Sequence, residues 1–283
     1  MKRLIINADD FGLSEGVNRG IEKAISQGIV SSTTVMVNMP KAYEIVNFLK
    51  KNPKVGVGIH INLTLGNPIN HPLRIRSLVN EDGVFLGGKE LLKRAFLGKL
   101  KKEEIYLEVK AQIQKFFDWG IIPTHIDSHQ RCHLFKDIYP VILEVMREFR
   151  INKMRTHRRW FIFNNSRNRR LNLILYYFKH PNRIISYFFS QYRKKKAKNI
   201  IFPDWLLSPI GNMNIYQKFK LTLLNLPFGT SELVTHPGYY SKELDKLVKY
   251  KEEREEELKI LKSNELKEIL RRENIKLISF KEL

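Results

Sequence analysis

Helical patterns alternate with short strand patterns along most of this chain, and strand after strand runs into Asp or His. Those two observations predict an α/β fold, a parallel barrel-like sheet with its site at the carboxyl ends of the strands. The first strand shows the pattern. Leu4-Ile5-Ile6 reads as a short buried strand that runs into Asn7-Ala8-Asp9-Asp10-Phe11-Gly12. Successive strand side chains point to opposite faces, so Asp9 and Asp10 share one orientation only if the chain bends there, and Gly12 permits a bend. Two adjacent carboxylates repel unless a cation or a shared proton relieves them, so a metal site is one reading of the pair. A polar turn closing the strand is the other.

The remaining elements follow in order. Ser14 caps a helix with Val17, Ile21, Ala24 and Ile25 at helical spacing, and Gly28 ends it. Val30 to Asn38, rich in β-branched residues, is a second strand closed by Pro40. A helix from about Ala42 to Lys51 leads to a strand from Val55 to Thr64. Its alternating glycines imply that a ligand or another backbone comes close, and His60 and Asn62 share a face. Residues 66–90 read as a long functional loop, and Lys102 to Trp119 as a helix with Ile105, Val109, Ile113, Phe116 and Phe117 inward. Thr124 to His129 is a short strand placing His125, Asp127 and His129 on one face. A helix at 135–149, a strand at 153–156, a helix near 215–224 and a strand ending in His236-Pro237-Gly238 come next. A charged helix over 250–273 and a last strand over 276–280 finish the chain. No repeat or linker divides it, so 1–283 reads as a single barrel domain.

Composition narrows the function classes. The chain is 43% hydrophobic, enough for a core, and its one cysteine, Cys132, excludes an intramolecular disulfide and a cysteine-only zinc cluster. The cytoplasm is therefore the default compartment. The first residues are too short in their apolar part for a signal peptide, and no stretch approaches the ~20 apolar residues of a membrane span. Net charge is +21, and it is concentrated: residues 151–200 hold no Asp or Glu and fourteen Lys or Arg.

Strand ends offer Asp9 and Asp10, then His60, then His125, Asp127 and His129, and lastly His236. Five of the eight histidines (60, 125, 129, 133 and 236) fall at or just after predicted strand ends. One carboxylate with two imidazoles is a sound ligand set for a divalent cation with an open position.

The motifs Asn-Ala-Asp-Asp-Phe-Gly at 7–12, Gly-Ile-His-Ile-Asn-Leu-Thr at 58–64, Thr-His-Ile-Asp-Ser-His at 124–129 and Gly-Thr-Ser-Glu-Leu-Val-Thr-His-Pro-Gly-Tyr at 229–239 resemble the signatures of the YdjC-like carbohydrate deacetylases, which include chitooligosaccharide deacetylase. The resemblance covers nearly the whole chain, while 158–210 fits it poorly. It implies a distorted TIM-like (β/α) barrel, often dimeric, that removes the N-acetyl group from an acetylated amino sugar with one divalent metal ion. Carried over, Asp10, His60 and His129 hold the metal, Asp9 is the general base and His236 the general acid. His125 and Asp127 orient the ligands, Arg155 pairs with the catalytic carboxylate, and Asn62 and His133 stand near the ligands or substrate. The choice between magnesium and zinc stays open. Arg131 stands where such proteins often carry a further histidine, which bears on substrate more than on reaction type.

The 158–210 stretch reads as a basic helical insertion, with helices around Leu171–Tyr177 and Ile184–Tyr192. Its arginines interleave with Trp160, Phe161, Phe163, Tyr176, Tyr177, Phe178 and further aromatics. A packed insertion with a basic rim is one reading. Peripheral contact with an anionic membrane, at the inner face, is another. Nucleic-acid binding would use the same charge and is disfavoured. For the whole chain, a metal-dependent phosphoesterase or other amidohydrolase is the competing enzyme class, and a basic binding protein with an idle barrel is the non-enzymatic alternative.

Overall fold

A computed structural model of the chain describes residues 1–164, 168–179 and 197–283. Strands β1 (Lys2–Phe11), β2 (Ser32–Val35), β3 (Gly56–Ile61), β4 (Ile126–Ser128), β5 (Arg159–Phe163), β6 (Trp205–Ile210) and β7 (Gly229–Thr235) run parallel in the order β4-β3-β2-β1-β7-β6-β5. β8 (Ile275–Leu277) pairs with the start of β1. Bridges between Ile126 and Met154 and between Lys153 and Ile201 carry the β4 edge round to the segments that enter β5 and β6. The architecture is a TIM-like α/β half-barrel, with helices outside. These are α1 (Glu15–Ser26), α2 (Glu44–Lys51), α3 (Gly88–Phe96), α4 (Lys102–Asp118), α5 (Ile138–Glu148), α6 (Arg169–Lys179), α7 (Ile215–Leu224), α8 (Leu244–Leu247), α9 (Glu253–Leu261) and α10 (Asn264–Arg272).

The two faces of β1 explain the layering. Leu4, Ile6 and Ala8 join the large core between sheet and helices, whereas Ile5 packs with Ile278 and Phe280 in a separate cluster. Alternation then places Ile5, Asn7 and Asp9 on the concave face. Register brings Glu232 beside Ile5, and Asp127 beside His60, on that same face. The lower part of the interior is apolar and the upper part acidic.

Several elements differ from the sequence reading. The 153–156 segment makes isolated bridges only, and the regular strand is β5, inside the stretch read as a helical insertion. β6 was not anticipated, because Trp205-Leu206-Leu207-Ser208-Pro209-Ile210 carries a proline and no alternation. The 66–90 loop contains a 3-10 turn at Pro72–Arg74 and gives way to α3 at Gly88. Its first part is tied to α4 by the buried Glu108, whose carboxylate accepts from the amides of Ile69 and Asn70. The charged 250–273 helix is two helices, broken where Ser263 caps α10. The last strand stops at Leu277, and Phe280 belongs to a 3-10 turn that plugs the interior. α6 matches the expected Leu171–Tyr177 helix, while Ile184–Tyr192 lies outside the described residues.

Close backbone approach sets the angle between α1 and the turn after β7. A Cβ at Gly20 would lie 2.4 Å from Gly238 Cα, and one at Gly16 would lie 2.6 Å from the Tyr239 carbonyl oxygen. Gly20→Ala is expected to lower stability by about 1–3 kcal/mol, since backbone must shift to admit the methyl group. Urea unfolding checks this, and an unchanged midpoint would show that α1 can move away without cost.

Candidate active site

The chain enters the site through a bend at Asp10 itself. Asp10 has φ of 71° and Gly12 has φ of 101°, and the pairing of β1 with β2 shifts register between Ala8 and Phe11. A non-glycine residue in the left-handed region is uncommon, although Asp tolerates it better than most. The bend lets both carboxylates serve one site, and both are buried.

Asp9 is held by Arg155. The guanidinium donates through Nη1 to Oδ2 (2.8 Å) and through Nη2 to Oδ1 (2.7 Å), and Asn7 Nδ2 adds a bond to Oδ1 at 2.9 Å. The same Arg155 reaches Asp127 Oδ2 at 2.7 Å and Glu232 Oε1 at 2.6 Å. Burial opposes ionisation of Asp9, but the charges of Arg155 and His60 outweigh it and hold this carboxyl well below the usual range. Burial likewise works against the Arg155 cation, and Asp127, Asp9 and Glu232 more than reverse it. Glu232, at the inner end of this network beside Ile5, is pushed up to about 7 by burial despite the adjacent guanidinium.

Asp10 has a guanidinium of its own. Arg254 Nη2 donates to Oδ2 at 2.6 Å, leaving Oδ1 facing His129 Nδ1 at 3.1 Å and His60 Nε2 at 3.5 Å. Burial opposes the Asp10 anion as well, and Arg254 with His129 prevails, so the carboxyl is held well below its ordinary range. His60 Nδ1 donates to Asp127 Oδ1 at 2.7 Å, which turns Nε2 toward Asp10 and, at 3.9 Å, Asp9. Burial lowers the His60 pKa, but Asp127 and Asp9 raise it further, to about 9. His129 is presented by a strained turn in which Gln130 and Arg131 both have positive φ. Its Nε2 is buried without a hydrogen-bond partner among the described residues.

Asp10, His60 and His129 thus offer ligand atoms within 4.8 Å of one another, and Asp9, His60 and Asp127 form an overlapping second group. A carboxylate and two imidazoles, one fixed by a carboxylate on its other nitrogen and one with an orphaned buried nitrogen, fit a divalent cation.

His236 follows β7 and is half-buried. Its backbone amide donates to Glu257 Oε2 at 2.6 Å, its ring meets Tyr250 edge-on at 5.7 Å, and it lies within electrostatic reach of both Asp9 and Asp10. The structure does not bring His125 to the imidazoles. It lies lower in the barrel, stacked on Phe280 at 3.5 Å, in the space left by Gly58, where a Cβ would sit 2.6 Å from the ring. That ring answers Gly58, and Ser32 Oγ and the Phe280 backbone nitrogen, 2.7 and 3.0 Å from a Cβ there, answer Gly56. Burial, followed by the charge of Arg155, pushes its pKa well below that of a free imidazole. Asn62 is used in the turn after β3, its Oδ1 accepting from the amides of Thr64 and Leu65. His133 bonds Ser128 Oγ and stacks near His157. Cys132 is buried, and burial pushes its thiol up to about 11, which suits packing rather than reactivity.

Glu232, Arg254, Glu257 and Tyr250 were missed in the sequence. Glu232 had a signal, a charge within a strand buried on both faces. Arg254 and Glu257 had none, since the run Lys249 to Glu257 reads as a solvated charged face.

The family model for YdjC-like proteins matches residues 3–272. The chain belongs to the YdjC-like family. A carbohydrate deacetylase of Clostridium beijerinckii is 31% identical over 284 positions, spanning 99% of this chain and all of its own length. A chitooligosaccharide deacetylase of Yersinia enterocolitica is 41% identical over 172 positions, covering 59% of this chain and 66% of its own. Among solved structures, a protein of Enterococcus faecalis V583, described as a candidate cellobiose-phosphate cleavage protein, superposes with a TM-score of 0.79 at 28% identity, covering 99% of this chain and 98% of its own. The YdjC-like half-barrel therefore accounts for the fold.

Arg155 pairs with three buried carboxylates at once, so its loss leaves buried charge with no partner. Arg155→Met is expected to destabilise this YdjC-like chain by about 3–5 kcal/mol. Denaturant unfolding at neutral pH measures it, and a loss under 1 kcal/mol would mean the carboxylates are neutralised otherwise.

Proposed function

We propose that this YdjC-like protein is a carbohydrate deacetylase that hydrolyses the N-acetyl group of an acetylated amino sugar with the help of one divalent cation. The single observation that carries the reading is the convergence of Asp10, His60 and His129 beside an Asp9 kept ionised by Arg155. The relatives named as carbohydrate and chitooligosaccharide deacetylases support the substrate class.

Asp10, His60 and His129 would hold the ion. When bound there, it supplies Lewis-acid chemistry, polarising an amide carbonyl and lowering the pKa of a water from about 15.7 toward ~7. The side chains do the rest. Asp9 is the base: it is anionic across the working pH range, and a weak base suffices for a water already acidified. Arg155 fixes its plane through two hydrogen bonds. Asp127 sets the His60 tautomer and keeps Nε2 directed at the ligand position. Arg254 occupies one oxygen of Asp10, so the carboxylate presents the other. His236, just past the end of β7, is the acid that protonates the departing amine nitrogen, which otherwise leaves as an unstable anion.

Glu257 and Arg254 lie on one helix, α9, and hold the acid's backbone and the ligand carboxylate respectively. The positions of the acid and of the ion are thereby linked.

Three outcomes test the reading. Asp9→Asn and His236→Ala are each expected to lower acetate release from N-acetylhexosamine oligomers at least ~10²-fold, and full activity in either variant would remove that residue from the chemistry. Metal analysis of the purified chain is expected to give one zinc or magnesium per molecule, lost in His60→Ala. The pH dependence has a definite sign. With its pKa at about 9, His60 carries a proton that the ion must displace, so affinity is expected to climb about tenfold per pH unit between pH 6 and 8. Calorimetry in buffers of different ionisation enthalpy reads the proton released, and a pH-independent affinity would place the ion away from His60.

A further inference from the structure

α6 shows water more apolar area than a helix outside a barrel should. Leu171, Ile174, Leu175 and Phe178 are 49, 65, 48 and 86% exposed, and their spacing of three, four and seven residues puts them on one face. The helix is held from its other side, where Tyr176 packs on Phe161 and Phe163 at 5.0 and 6.5 Å and Tyr177 meets Phe161 edge-on at 6.0 Å. The aromatic residues of β5 and α6 are thus partly accounted for by packing, and the four exposed side chains are not. A contiguous apolar face of this kind marks a contact surface.

The charge of the chain that adjoins α6 in sequence selects the occupant. Residues 156–200 carry twelve Lys or Arg and no Asp or Glu. A second copy docked face to face would set this charge against itself, because a two-fold contact uses the same patch twice. A nucleic acid would answer the charge and leave the four apolar side chains in water. An anionic bilayer answers both, since apolar side chains enter the acyl boundary while basic residues meet lipid phosphates. Among the described residues no helix is long and apolar enough to cross a membrane, so the contact is peripheral.

We propose that α6 is a membrane-docking helix that seats on anionic lipid. Its place in the fold gives that contact a use. α6 leaves the carboxyl end of β5, the end of the sheet at which Asp9, Asp10, His60 and His236 stand. A bilayer under α6 lies beside the mouth of the barrel, and the substrate class that follows is an acetamido sugar carried on a lipid. The substrate half of the inference rests on the deacetylase reading, whereas the docking half does not.

The test uses the full chain and sedimentation with vesicles of phosphatidylcholine, with and without phosphatidylglycerol. Binding is expected only with phosphatidylglycerol, falling as salt rises. Ile174→Glu with Phe178→Glu, both exposed, should cut the partition coefficient about tenfold or more while leaving acetate release from a soluble N-acetylhexosamine oligomer unchanged, which also shows the variant folded. With an N-acetylglucosaminyl lipid in the vesicles, the double variant should lose kcat/KM on that substrate alone. No sedimentation of the wild type at low salt overturns the docking proposal. So does binding that survives the double substitution, which is the behaviour of charge alone, or a wild-type dimer that the substitution dissociates without any lipid binding. If vesicles bind but no acetate leaves any acetylated sugar, the docking helix stands and the deacetylase reading falls.

Discussion

The guanidinium of Arg155 among Asp9, Asp127 and Glu232 is the contact on which the site depends. Three carboxylates buried on the concave face of a half-barrel repel one another and lose their hydration, and no solvent is near enough to screen them. Arg155 answers Asp9 and Glu232 with hydrogen bonds of 2.6–2.8 Å and Asp127 with an ion pair at 2.7 Å, and its flat fork imposes an orientation on Asp9 that a lysine ammonium would not. The remaining geometry is hung from this network, because Asp127 in turn fixes His60.

Two strained backbone positions complete the arrangement. Asp10 takes a left-handed conformation to bring its carboxylate to the same site as Asp9, and the Gln130-Arg131 turn does so to aim His129 at Asp10. Strain of this kind persists only where surrounding contacts over-determine it. For Asp10 these are Arg254 on one oxygen and His129 on the other. For the turn, Gln130 packs over Gly88, where a Cβ would lie 1.8 Å from Oε1, so α3 helps to position His129, and no sequence signal links the two.

Much of the half-barrel was legible because its strands are hydrophobic runs that stop at polar residues, as at Ile6-Asn7-Ala8-Asp9-Asp10 and Ile59-His60. The side chains contributed by strand ends were legible for the same reason, period two being enough to place Asp9, His60 and Asp127 on one face. The bend was attributed to Gly12, and Asp10 shares it, since nothing in a sequence announces a non-glycine residue at positive φ. His125 was misplaced by the same alternation that found Asp127: both face inward, but they stand at different heights, and only coordinates distinguish the mouth from the floor. β5 was obscured by the basic aromatic composition around it, and β6 by its proline and its lack of alternation. Arg254 and Glu257 were illegible in principle, because a charged residue on an amphipathic helix is ordinarily solvated, and only the packing of α9, with Arg254 reaching Asp10 and Glu257 the His236 amide, buries these two.

The charge balance inside the barrel is one that a bound cation would relieve. Four carboxylates (Asp9, Asp10, Asp127 and Glu232) face two guanidiniums, and burial of Glu232 protonates it part of the time near neutrality. The residual negative charge is met by a proton on His60, whose pKa of about 9 is the mark of an unfilled demand for positive charge. That proton sits on the nitrogen directed at Asp10 and Asp9, because Asp127 already engages the other. A divalent ion placed between Asp10, His60 and His129 would take over the role of the proton with a larger charge and a fixed geometry. The proton on His60 and such an ion are therefore competitors for one position, and the same electrostatics that keeps Asp9 ionised prepares that position to be filled.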